Sequence, residues 1–77
     1  MKILVAGLGL IGGSMAKALK RCGYIADGFD REKVVRAAIE SGAVAGKAGA
    51  VSDYDIVFVA LPPDAAMDFM GHNEFKD

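Results

Sequence analysis

The alternation of apolar and polar positions divides the chain into short elements. Ile3-Leu4-Val5-Ala6 is continuously apolar, the pattern of a central parallel strand covered on both faces, and a first strand is predicted over residues 2–6. From residue 10 or 11 to residue 22 the rhythm changes. Ile11, Met15, Ala18, Leu19 and Cys22 recur at three- and four-residue steps and predict the buried stripe of a helix. Lys17, Lys20 and Arg21 take its polar side, the last two near its negative end, and Gly23 suits a left-handed cap. A second strand is predicted over residues 24–29, interrupted by Asp27 and Gly28 and closed by Asp30.

A second helix is predicted over residues 31–41. It has Val34, Val35, Ala38 and Ile39 inward, Asp30 as its N-cap and Gly42 as its stop. Residues 43–45 read as a short third strand, and residues 46–52 as a loop or a single helical turn. The strongest strand after the first spans residues 55–61, with Ile56-Val57-Phe58-Val59-Ala60 at its centre. Pro62 and Pro63 end it, since neither can donate to a ladder. Pro63 then opens a helix over residues 64–70, with Ala65, Ala66, Phe69 and Met70 as its apolar contacts.

Strands alternating with helices imply an α/β fold, a doubly wound parallel sheet with helices on both faces. The expected strand order is 3-2-1-4, about two-thirds of a Rossmann unit. Residues 1–77 are therefore read as one incomplete dinucleotide-binding domain whose fourth strand exposes an apolar edge.

Composition narrows the function. Seventy-seven residues make one domain that buries only about 60% of its unfolded surface. The net charge of −1 gives no basic field for nucleic acid or an anionic membrane, so anion binding must come from local backbone geometry. The single cysteine, Cys22, cannot form an internal disulfide. No leader pattern or run of ~20 apolar residues occurs, and a reducing, cytoplasmic compartment is expected.

The turn between the first strand and the first helix carries the chemistry. Gly7, Gly9 and Gly12 form G-x-G-x-x-G between a strand and a helix, the context in which that pattern binds a dinucleotide. Gly7 allows the sharp turn, Gly9 lets a pyrophosphate approach the backbone, and Gly12 lets the helix lie close to the strand. The helix N-terminus offers free N–H groups and the positive end of its dipole. Asp30 lies eighteen residues beyond Gly12, near the ~20 expected of the acid that binds the adenosine ribose hydroxyls. A carboxylate there repels a 2′-phosphate, so NAD is expected over NADP. Arg31 works either way, by stacking on adenine or by tolerating that phosphate.

The run G-L-G-L-I-G-G-S over residues 7–14, with Ala16-Lys17-Ala18-Leu19-Lys20, Gly23-Tyr24, Gly28-Phe29-Asp30 and Leu61-Pro62, resembles the N-terminus of the prephenate dehydrogenases of tyrosine biosynthesis. The likeness runs over essentially the whole chain. Gly13 and Ser14 make it more specific than the bare fingerprint. It implies oxidative decarboxylation of prephenate to 4-hydroxyphenylpyruvate with hydride transfer to NAD(P). It also implies cofactor roles for Gly7, Gly9, Leu10, Ile11, Gly12, Gly13, Ser14 and Asp30, with Arg31 beside them. Ala60, Leu61 and Pro62 fall where such enzymes pass the adenosine and nicotinamide riboses. The family's catalytic histidine, substrate-binding arginines and helical C-terminal domain have no counterpart in these residues. The chain is therefore expected to bind cofactor without catalysis, and no catalytic residue is assigned.

The remaining candidates read as structural. His72 sits in a polar tail without a partner at ligand spacing, and Cys22 lies on the predicted apolar stripe as a buried, inert thiol. Asp53, Asp55, Asp64 and Asp68 suit caps and solubility, so no metal is expected. Met15, Met67 and Met70 read as core fillers. Two other readings stand beside the first. One is the cofactor domain of another dehydrogenase, similar to 3-hydroxyisobutyrate dehydrogenase or pyrroline-5-carboxylate reductase. The other is a non-catalytic nucleotide-binding or association module. A homodimer is expected either through the fourth-strand edge or through the missing helical domain.

Overall fold

A computed structural model of the chain describes residues 1–76. Strand β1 (Ile3–Ala6) is buried at all four positions, as its unbroken apolar run requires. It lies between β2 (Asp27–Phe29) and β3 (Ile56–Val59) in a parallel sheet of order β2-β1-β3. Ala6, the last residue of β1, is level with Phe29 on one side and Val59 on the other. All three strands thus end along one edge, where the β1 turn begins.

Alternate β1 side chains serve opposite faces. Ile3 and Val5 join Leu8, Ala16, Ala26, Val35 and Val44, under helices α1 (Leu10–Arg21) and α2 (Glu32–Glu40). Leu4 and Ala6 join Val51, Tyr54 and Phe69, under α3 (Pro63–His72). Helices therefore cover both faces of a Rossmann-like α/β domain. Leu4 and Val5 are completely enclosed, a burial of about 1.5–3 kcal/mol each.

Both helices on the first face end in Schellman motifs. Gly23 donates to the Lys20 carbonyl and Tyr24 to that of Leu19; Gly42 donates to Ile39 and Ala43 to Ala38. Gly23 and Gly42 both have positive φ, as that cap requires.

Several expectations are corrected. The predicted third strand over residues 43–45 is not a strand. Ala43 and Val44 are buried, and residues 45–48 then follow β2 through backbone bonds with Ala26 and Gly28 and a single bridge, Gly28 to Lys47. Alanine and glycine have little strand preference, and the segment remains irregular. The sheet consequently displays the 2-1-4 part of the predicted order. The second strand is shorter than residues 24–29, because β1 presents only Leu4, Val5 and Ala6 to pair with it, and Tyr24 and Ile25 are exposed.

The buried line of α1 is Gly12, Ala16 and half-buried Leu19. It is rotated by one residue from the predicted stripe, and Ile11 and Cys22 are exposed. The helix lies so close to the sheet that only small residues fit beneath it. Cys22 is thus not the buried thiol expected. Ile39, Met67 and Met70 are also exposed.

Residues 51–53 form a 3-10 turn. The Tyr54 hydroxyl that follows donates to Asp27 Oδ2 at 2.7 Å and accepts from the Gly49 amide at 2.9 Å. Burial and then the Asp27 carboxylate hold the Tyr54 hydroxyl above its ordinary pKa. Asp55, just before β3, accepts from the Lys2 amide at 2.8 Å and pairs with Lys76. The Lys76 bond, then the Lys2 bond, holds its carboxyl below the usual range. β3 borders the sheet among the described residues, with Ile56 and Val59 exposed. In the C-terminal tail Phe75 packs edge-on against Phe69, and Asp77 lies outside the described residues.

Candidate dinucleotide site

The turn out of β1 is shaped by what its glycines leave out. Gly7 has φ +97° and donates to the Phe29 carbonyl at 2.7 Å, extending the β1–β2 ladder by one bond. A Cβ on Gly7 would sit 2.7 Å from the Ala60 carbonyl carbon and oxygen, closer than atoms pack. A Cβ on Gly12 would fall on the Gly7 carbonyl oxygen. These two positions bring strand, helix and the Ala60 segment into direct backbone contact.

Gly9 is different. It is the N-cap of α1 without a side-chain cap, and a Cβ there would have no heavy atom within 4 Å. Packing does not demand this glycine. What it leaves is an approach to the start of α1. The first intrahelical bond runs from the Gly13 amide to the Gly9 carbonyl at 2.8 Å, so the amides of Leu10, Ile11 and Gly12 have no partner within the helix. No acidic residue occupies the first turn to offset the dipole there. Such a terminus suits an anionic group such as a diphosphate.

Asp30 is placed directly beside this turn. Its Oδ2 accepts from the Leu8 amide at 2.7 Å and its Oδ1 from the Arg31 amide at 2.7 Å. Asp30 is therefore not the N-cap of α2, as was expected. Arg31 holds that position, with no side-chain cap bond, because the carboxylate is turned back toward the glycine turn.

The opposite wall begins where β3 ends. The Ala60 amide donates to the Ala6 carbonyl at 2.7 Å, and Leu61 and Pro62 lead into α3. The walls enclose a cleft of about 1060 Å³, lined by nine of the predicted residues: Gly7, Gly9, Leu10, Ile11, Asp30, Arg31, Ala60, Leu61 and Pro62. Gly12, Gly13 and Ser14 do not line it. Gly12 is buried on the face of α1 turned to the sheet, and Gly13 and Ser14 follow it along the helix. Leu10 and Ile11 are 89% and 74% exposed, apolar side chains standing at the mouth of the cleft.

Sequence reasoning missed the far wall. Ala65, Asp68, Phe69, His72 and Asn73 also line the cleft, at the i, i+3, i+4, i+7 and i+8 positions of one helical face. Phe29 touches Phe69 across it, ring centres 4.9 Å apart. His72, read as a tail residue without a partner, bonds through Nδ1 to the Asp68 carbonyl at 2.8 Å. The helical spacing from Ala65 to Asn73 was the available signal. It was obscured because α3 was expected to stop near residue 70 and all its apolar residues to point inward.

The chain matches, over residues 2–76, the family model described as NADP oxidoreductase coenzyme F420-dependent. No curated protein and no solved structure matches it.

Proposed function

The chain belongs to the family of NADP oxidoreductases described as coenzyme F420-dependent, an oxidoreductase family with a nicotinamide dinucleotide cofactor, and we propose that residues 7–12 and Asp30 hold that cofactor and select NAD. The observation that carries the reading is the open space at Gly9, beside uncapped α1 amides and within the cleft that Asp30 lines. The diphosphate lies on the amides of α1. The Asp30 carboxylate, with each oxygen already taking one backbone N–H, accepts the ribose hydroxyls through remaining lone pairs and repels a 2′-phosphate. Bound there, the nicotinamide ring supplies a hydride acceptor or donor, and the protein's part is to place it.

The substrate reading is the oxidative decarboxylation of prephenate, supported by the run G-L-G-L-I-G-G-S over residues 7–14. A second reading, similar to pyrroline-5-carboxylate reductase, is favoured by the family match, which does not single out prephenate dehydrogenases. Under either reading this chain is expected to bind the cofactor without turnover, and turnover of prephenate with NAD by this chain would contradict that.

Calorimetric titration tests the cofactor assignment. NAD should bind more tightly than NADP. Asp30→Ser should weaken NAD by roughly tenfold or more, the size of one lost charge-assisted hydrogen bond, and reduce the preference. Unchanged affinity and unchanged preference in Asp30→Ser would refute the role.

A further inference from the structure

His72 at the end of α3 and Asn73 just after it both line the cleft. The Asp68 carbonyl can only accept, so His72 Nδ1, 2.8 Å away, carries a proton; in the neutral tautomer this bond selects, Nε2 keeps an open lone pair. Asn73 Nδ2 donates to the Phe69 carbonyl at 2.7 Å, which leaves Oδ1 as its acceptor. Each side chain is tied to its own helix by one nitrogen, and each offers its remaining acceptor. Asp68 adds a carboxylate on the same face. Beside them Phe69 meets Phe29 with ring planes 50° apart. Phe29 immediately precedes Asp30, so this turn adjoins the end of the cleft assigned to the adenosine ribose.

We infer that His72 and Asn73 read the 6-amino edge of the adenine base, making α3 a base-selective wall of the cleft. Two acceptors near the exposed ring of Phe29, which is backed by buried Phe69, complement a ring that stacks and carries an amino donor. A 6-oxo ring sets an acceptor where the amino group was and keeps only the N1–H donor beside it, so at least one of the two protein acceptors then faces like against like. The inference rests on the dinucleotide reading above. It adds a specificity the glycine turn cannot supply, since backbone amides at a helix terminus bind the diphosphate of any dinucleotide.

The test compares NAD with nicotinamide hypoxanthine dinucleotide, which differs at that 6-position, by calorimetry on the whole chain. NAD should bind roughly tenfold more tightly, the size of one mismatched hydrogen bond. In the His72→Phe, Asn73→Ala double variant the ratio should fall toward one. His72→Gln, which restores an acceptor, should recover part of it. Both residues lie at the surface end of α3, and a thermal melt checks that the variants fold. Equal binding of the two dinucleotides by the unaltered chain, or an unchanged ratio in the folded double variant, overturns the base-reading role while leaving the cofactor site standing. If neither dinucleotide binds, the cofactor reading itself has failed and this inference falls with it.

Discussion

The Asp30 carboxylate accepts a 2.7 Å hydrogen bond from the Leu8 amide, fastening the tip of β2 to the glycine turn. The residue proposed to bind the ribose thus also holds the loop proposed to bind the diphosphate. Removing the carboxylate should act on both. In Asp30→Ala the Leu8 amide should exchange with solvent faster. The variant should also lose about 1.5–3 kcal/mol of stability, the range for hydrogen bonds to a charged group, read from the urea midpoint. Asp30→Asn, which keeps one carbonyl oxygen, should fall between.

Gly9 and Gly12 separate binding from folding. Gly12→Ala drives a methyl into the Gly7 carbonyl, and the helix must move off the strand. Its cost should exceed the 1–3 kcal/mol usual for overpacking, and the domain should melt markedly earlier. Gly9→Ala meets nothing within 4 Å and should cost no more than about 1 kcal/mol as a poorer N-cap, yet its methyl occupies the diphosphate approach and should abolish NAD binding. Melting curves and titrations on the two variants should therefore give opposite patterns.

Tyr54 predicts an alkaline limit to stability. Its hydroxyl is favoured protonated in the folded chain, its pKa raised above 10.0. The associated stability is fully present below pH 10.0 and is lost as the pH rises through the higher folded value. Tyr54→Phe should remove this dependence. At neutral pH it should cost about 1–3 kcal/mol, because Asp27 and the Gly49 amide lose their shared partner. Urea midpoints between pH 7 and pH 11 check both statements.

The parts of the fold legible in the sequence were those where one residue type admits one geometry. Ile3-Leu4-Val5-Ala6 could only be a strand covered twice, and Gly7, Gly23 and Gly42 fell at the positive-φ positions. What was not legible depends on the distance between layers. Gly12 of α1 lies at backbone contact with Gly7, and this closeness rotates the buried face by one residue, from Ile11 to Gly12. Asp30 was legible by its spacing, but its bond to Leu8 arises only once β2 pairs with β1. The α3 wall was missed for a related reason: Ala65, Asp68 and His72 are exposed side chains whose common face acquires meaning only opposite Asp30 and Gly9.

The most direct measurement is an amide-resolved NMR titration with NAD. The largest shifts should fall on the amides of Gly9, Leu10, Ile11 and Gly12, with Leu8 and Arg31 following as Asp30 engages the ribose. Saturating NAD that leaves these amides unmoved, or moves a different set, would contradict the cofactor assignment.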